Sequence, residues 1–566
     1  MLRFLNRAII RRMAISLLSI QAGGVCAATV VPNDNPSVPM AAVLQHVSDT
    51  VDRIQLSAKA SGHRFSQTLT QMDQRQAGYP IIGFRPNRTY TINVSMFSGG
   101  QLVETLDNQT FVSPPLPMDS REWPTVTYTD ADEESKEPGF VFASIRRNSM
   151  TRPFRMTKAQ RRFTEEWGLI AAFDEEGEVV WYYRSPVRTA GIDRLANGNL
   201  FFHTAYFQSI EIDLLGNKIR EFQPESNPRS QVSQEDALLI KGIQTLHHQP
   251  HQLPNGNFLA FSSNEKLIED YYTSEYDENA PRKTQRVNGD TIIEFTPEGQ
   301  IVWQWSAFDH LPITRIGYHL TDPYWWVRGF KGNLDWTHGN GISYDAKDDS
   351  VIIYLKHQDA AFKISRKTGE IVWIFGDTTD WPENLQSKLL KKSGDFRWPY
   401  HAHNPRLTPT GNYVLYENGQ FGTRPFSGIE PITPNEGFSR AVEYRIDENS
   451  MTVEQVWASH TEKSVDTCFA PGMGDVHVLP HTGNALVFDP VCFDQETYEL
   501  TDDQRDLSKR HNSELNHTAR IREYQRTSDS RWVREWRFSD KYSVSQWQIY
   551  GGFHSVSLYG ELEVSH

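Results

Sequence analysis

Cysteine is scarce, with three in 566 residues. That excludes a disulfide scaffold and a cysteine-rich metal protein. Basic charge is in deficit: 57 Lys and Arg face 71 Asp and Glu, a net charge of −14. A nucleic-acid partner is thereby disfavoured, because phosphate binding needs a basic footprint. Beyond the N-terminus no apolar run approaches the ~20 residues of a membrane span, so no stable membrane insertion is expected. No P-loop pattern is present, and no cofactor is expected. The chain is rich instead in aromatic residues (15 Trp, 22 Tyr, 30 Phe) and turn formers (36 Gly, 30 Pro). Together they exclude a disordered polymer and predict a many-stranded β protein with a large core.

The first residues read as an address. Arg3, Arg7, Arg11 and Arg12 precede a short apolar run, Met13 to Ile20, and Val25-Cys26-Ala27 offers small residues for cleavage. Residues 1–27 are therefore predicted to be a signal peptide, with the mature protein exported. A membrane anchor is the alternative, and the short apolar core disfavours it. Cleavage leaves Cys468 and Cys492, which an oxidising compartment is expected to join. Two buried free thiols are the other reading.

Residues 38–118 alternate short β-like runs with turns, as in Tyr90 to Met96 before Gly99-Gly100, and predict a small β-sandwich. Pro114 to Pro117 reads as a linker. Over 122–566 two hairpin signatures alternate. One is a polar turn leading into an apolar strand, as at Asn197-Gly198-Asn199, Asn255-Gly256-Asn257, Gly411-Asn412, Gly483-Asn484 and Tyr559 to Leu562. The other is an apolar strand ending in an aromatic: Trp181, Phe222, Trp303, Trp373, Trp457 and Trp536. Each occurs six times, which predicts an all-β, six-bladed β-propeller closed by both chain ends, with the aromatics as core between blades.

In such a ring the first strand of each blade lines a central channel. Eight residues before the hairpin glycine stand His248, His403, Asp475 and Ala190; His338 and His554 occupy the corresponding stretches of two other blades. Several polar positions, mostly imidazoles, are thus expected to converge on one axis. Three chemistries suit them: a zinc or copper site, a nucleophilic imidazole with anion-binding neighbours, or ligand binding without turnover. Tyr324-Trp325-Trp326 with Trp336 offers an aromatic wall for an aryl group or, equally, packing for a long inter-blade loop; Asp475 either orients a histidine or, the preferred reading, plays a structural part.

The ordered set of motifs resembles the bacterial arylsulfate sulfotransferases, periplasmic enzymes that do not use PAPS. The matching stretches are His247-His248 with Leu253 to Asn257, Asp335 to Asn340 with Tyr344-Asp345, Lys356 to Ala360 with Lys367 to Trp373, and His403 with Gly411-Asn412 and Glu417 to Gly419. The resemblance implies a six-bladed propeller behind an N-terminal β-sandwich, a homodimer and a periplasmic location. It implies ping-pong transfer from a phenolic sulfate donor to a phenolic acceptor through a sulfohistidine on His403. It places His248 and His338 as catalytic and Asn340 and Lys356 as substrate-binding. Lys356 stands where the family has arginine, replacing a planar fork by a point charge. A non-catalytic ligand-binding propeller and a metal-dependent propeller enzyme are the rival readings.

Overall fold

The computed structural model describes residues 27–147, 157–229, 233–434, 436–493, 517–540 and 546–560. Residues 1–26 of the expected signal, Cys26 among them, and the turn residues Glu561-Leu562 lie outside the described residues. The described chain is built almost wholly of strands in antiparallel sheets. No described helix is long and apolar enough to cross a membrane.

Six sheets of four or five main strands follow one another along the chain from residue 125. Their innermost strands are Thr189–Arg194, His247–Gln252, Gly339–Asp345, His403–Leu407, Asp475–Val478 and Trp547–Ser555. These pack side by side in cyclic order, the last against the first, so the sheets form the ring of a β-propeller. Left-handed Gly256 and Gly411, both at φ 84°, make two of the repeated hairpin turns.

Both chain ends close the ring, and they do so twice. Trp547–Ser555 is the inner strand of a sheet whose other strands are Phe140–Arg147, Gly168–Phe173 and Val179–Ser185. Thr125–Asp130 is the outer strand of the sheet that begins at Asp475. The strand-ending aromatics Trp181, Phe222, Trp373, Trp457 and Trp536 are buried as expected. Trp303 departs from the rule: it is half-buried, and Trp305, two residues on, takes the core position.

Ahead of the ring lie a three-stranded and a four-stranded sheet spanning Thr29 to Ser113. In Arg53–Ala60 every second residue is buried, as a half-covered sheet requires. The first strand starts at Thr29, earlier than the expected boundary at 38. Its core is not separate: Val38, Leu44, Ile54 and Tyr90 belong to one apolar cluster with Ile170, Trp181, Leu200 and Phe202 of the ring. A buried Arg85–Asp174 ion pair at 2.7 Å also crosses this junction.

The inner strands share a local device. Five of the six break register near their start: between Thr189 and Ile192, His247 and His251, Gly339 and Gly341, His403 and Arg406, and Ile549 and Gly552. Such bulges re-aim side chains, here toward the channel. They also bring neighbours close; a Cβ on Gly341 would lie 2.6 Å from the Asn404 nitrogen of the next inner strand.

Asp475 starts the remaining inner strand. Of the two roles the sequence left open to it, the structure gives it the structural one. Its carboxylate takes Arg406 of the preceding sheet bidentately, at 2.8 and 2.9 Å, with His477 at 3.4 Å. That buried pair fixes the spacing of two inner strands. Asp475→Ala leaves Arg406 charged and unpaired, so we expect a loss of about 3–5 kcal/mol of stability. Denaturant unfolding monitored by tryptophan fluorescence measures it; a change within experimental error would overturn the assignment.

Candidate active site

His248, His338 and His403 come together at one end of the channel. The His248 and His338 rings meet edge to face with centroids 5.1 Å apart. His403 lies within electrostatic reach of both. His248 and His338 have left-handed backbones, φ 66° and 52°, a strain that L residues carry only where the surroundings impose it. His554 does not join them. It sits at the far end of its strand, with Nε2 2.7 Å from the Pro138 carbonyl. The channel position of that strand is taken by Tyr550, which packs with Met473, Val491 and Ala190.

Three further histidines complete the cluster. His357 stacks on His338 at 4.7 Å, His401 lies 5.7 Å from His357, and His319 lies 5.3 Å from His401. His319 comes from the long connection between Ser306 and Leu334. That connection is held close by Gly317, where a Cβ would stand 1.8 Å from the His357 carbonyl oxygen. Gly317→Ala should therefore lift the segment carrying His319 and Tyr324 off the site, at about 1–3 kcal/mol. A lowered melting temperature together with a raised KM for substrate is the expected result; wild-type values for both would refute it.

Five of the six imidazoles, all but His319, are oriented by a hydrogen bond at Nδ1. The His338 Nδ1–H donates to Asp335 Oδ2 at 2.6 Å, and Trp325 Nε1–H donates to Asp335 Oδ1 at 2.9 Å. His357 Nδ1–H donates to the Asp335 carbonyl at 2.7 Å, and His401 Nδ1–H donates to Asp359 Oδ1 at 2.8 Å. His248 and His247 share a proton between Nδ1 atoms 2.6 Å apart, and His247 Nε2 faces Asp290 at 3.3 Å. Burial holds Asp290 up to about 7.

His403 is the most tightly defined. Asn418 Nδ2 donates to the carbonyls of Ala470 and Met473 at 2.8 and 3.0 Å, which fixes the amide so that Oδ1 faces the ring. His403 Nδ1–H then donates to Oδ1 at 2.6 Å, and Nε2 carries the lone pair. The Met473 N–H donates to that lone pair at 2.9 Å. Cys468 and Cys492 are joined by a disulfide, which anchors the segment bearing Ala470 and Met473.

Lys356 is the shared charge of the site. Burial lowers its own pKa, and its ammonium depresses His319, His338, His357, His401 and His403. Burial is the first cause for every one of these histidines, so they are neutral near pH 7. Asn340 is fully buried, with Nδ2–H donated to the Ala402 carbonyl at 3.0 Å, next to His401 and His403. Two trios, His319-His357-His401 and Asp335-His338-His357, bring potential ligand atoms within 4.8 Å of one another. A divalent cation there would meet the Lys356 ammonium, so the electrostatics favour an anion.

Of the expected aromatic wall, Tyr324 faces His248 and His338, and Trp325 meets His247 edge-on at 5.3 Å. Tyr324 stacks on His248 at 5.9 Å and meets His338 edge-on at 4.6 Å. Trp325 is buried behind it, Trp326 donates to the Asn333 carbonyl, and Trp336 packs on Phe308.

The sequence model of the arylsulfotransferase (ASST) family matches residues 126–535. The arylsulfate sulfotransferase AssT of Escherichia coli O6:H1 (strain CFT073) is 34% identical over 149 residues, 23% of this chain and 24% of that protein. AssT of Lelliottia amnigena is 32% identical over 155 residues, 24% and 25% of the two chains. The aligned part thus spans about a quarter of these relatives' length. Among solved structures, BamB from Moraxella catarrhalis is matched over 79% of this chain and 91% of its own, at TM-score 0.25 and 8% identity. A Myceliophteria thermophila Swd1 β-propeller domain is matched over 73% and 99%, at TM-score 0.28 and 10% identity.

Proposed function

Because this chain belongs to the arylsulfotransferase family, we propose that it moves a sulfuryl group from an aryl sulfate to a phenol through a sulfohistidine on His403. The observation that carries the reading is the fixed state of His403: proton on Nδ1, lone pair on Nε2, neutral ring. Nε2 attacks sulfur, the S–O(aryl) bond breaks, and the Met473 N–H passes from the lone pair to a sulfuryl oxygen. The ring becomes cationic and the sulfuryl group keeps its negative charge, so the intermediate is a zwitterion. Lys356 and the Met473 N–H hold the sulfuryl oxygens, since a loose transition state leaves the protein mainly positioning and charge stabilisation to supply.

The departing phenolate needs a proton. Donor and acceptor are both phenols, so the second half-reaction is the first in reverse and one group must serve both. His338 cannot begin the cycle, because its proton is committed to Asp335 and its Nε2 carries a lone pair. Lys356 can: as ammonium it protonates the leaving phenolate, and as amine it takes the proton of the acceptor. Its lowered pKa brings it toward that of a phenol. Where the family has arginine, a guanidinium could supply charge only.

Ping-pong kinetics and a periplasmic location belong to the same proposal, as does the homodimer that the family resemblance suggests. Incubation with 4-nitrophenyl sulfate, acid-free quench and peptide mass spectrometry should find one SO3 on the peptide bearing His403. A sulfated peptide elsewhere, or none during turnover, would sink the reading. Since burial and Lys356 hold His403 well below its ordinary 6.5, kcat/KM for the donor should stay level as pH falls through 6.5. An acid limb centred there would show an unshifted nucleophile.

A further inference from the structure

Around Tyr324 and Tyr550 stand three guanidiniums that form no ion pair among the described residues, although Arg328 acts at longer range on Asp322 and Asp335. Arg146, on Phe140–Arg147, is 8% exposed; its guanidinium reaches Met473 Sδ and lies 5.3 Å over the Tyr550 ring, while its Nε has no hydrogen bond. Arg188, 6% exposed, makes no side-chain hydrogen bond or ion pair among the described residues. The nearest acid it feels, Glu165, is taken by Arg229 at 2.8 Å. Arg328 lies 3.6 Å over the Tyr324 ring and donates only to the Tyr324 carbonyl. The three feel one another: Arg188 and Arg328 both depress Arg146, and Arg328 depresses Arg188.

Buried charges are normally paired, because an unpaired one bears the whole desolvation cost. Three neighbouring guanidiniums with no anionic partner among the described residues, Arg146 and Arg188 buried and Arg328 half-buried, therefore mark a place for an anion. The cluster adjoins the reacting histidines through two residues. Met473 links Arg146 to His403, and Tyr324 links Arg328 to His248 and His338. A sulfuryl group held at His403 and Lys356 would direct its aromatic ring along Tyr324 and Tyr550, with the far end at the arginines.

The geometry points to an anion-binding subsite formed by Arg146, Arg188 and Arg328, so that the preferred phenol carries a second anionic group on its ring. This rests on the sulfotransferase reading for the placement of the ring. Three donors separate the two ideas: 4-methylphenyl sulfate, its 4-carboxymethyl analogue and its 4-sulfonatomethyl analogue, whose leaving groups are similar in basicity. The wild type should favour at least one charged donor by about 10-fold or more in kcat/KM, the worth of one charge-assisted hydrogen bond. The carboxylate and sulfonate arms tell a planar anion from a tetrahedral one. In Arg188→Met and Arg328→Met the preference should collapse toward unity through KM.

Equal use of all three donors by the wild type would overturn the subsite while leaving the sulfotransferase reading intact. Turnover of none would remove that reading instead. Calorimetric titration with 4-hydroxyphenylacetate against 4-methylphenol then tests the arginines alone: tighter carboxylate binding, lost in Arg188→Met, is expected, and equal affinity overturns the subsite. Arg188→Lys, which keeps the charge, should retain part of the preference and guards against a folding artefact.

Discussion

His403→Ala should lower sulfuryl transfer at least about 10³-fold, in kcat as well as kcat/KM, because a covalent nucleophile is lost. The loss should be uniform across donors, activated or not, since no chemistry of the leaving group replaces the missing imidazole. Substrate binding should survive, as Lys356, His338 and Tyr324 remain. Asn418 is left with a buried acceptor unmatched, so a stability loss of about 1–3 kcal/mol is also expected. Chromogenic release and acceptor sulfation, measured beside a melting curve, separate the two effects. Retained transfer would move the nucleophile to His338, whose Nε2 is free and whose Nδ1–H is held by Asp335 at 2.6 Å.

The second large effect is expected at Lys356 and depends on the leaving group. Lys356→Met should cost about 10²–10⁴-fold with weakly acidic phenols, combining the loss of general acid and charge. Lys356→Arg restores the charge and the family's residue but not a transferable proton. Its deficit should be small with 4-nitrophenyl sulfate, whose phenolate leaves unaided, and should grow steadily with the basicity of the phenol. Acceptor basicity should matter in the same sense, because the two half-reactions mirror each other. A Lys356→Arg enzyme as fast as wild type on every donor would show that lysine serves as a point charge and that the proton travels by another route.

The repeat was legible because its signals are local. A hairpin glycine, an alternating strand and a terminal aromatic all lie within a dozen residues. Counting from that glycine found the channel ends of four inner strands, three with the register break and one, at Asp475, without it. His554 did not come from that count, which from Gly560 gives Gly552, and its strand meets the channel at Tyr550 instead. The residues that orient the histidines escaped for other reasons. Asp335 and Asp359 act across sheets, Asn418 reaches His403 from the end of the paired strand, and His319 arrives on a connection with no periodicity. His401 lies two residues before His403, which alternation would place on the same face. Its left-handed φ of 55° turns it instead toward Asp359. The aromatic run from Tyr324 was visible, but composition alone could not say which of its rings would face inward.

The double closure of the ring has a consequence in time. Tyr550 and the wall it forms with Met473 belong to the strand Trp547–Ser555, which pairs with residues made some four hundred positions earlier. Until that strand arrives, the sheet of Phe140–Arg147 has no inner member, the channel is open along one side, and Arg146 and Met473 face solvent. A growing chain carries all six histidines long before it has an enclosed place to use them. On the proposed mechanism, the enclosed site in which His403 would take up a sulfuryl group is complete only when that last strand is in place.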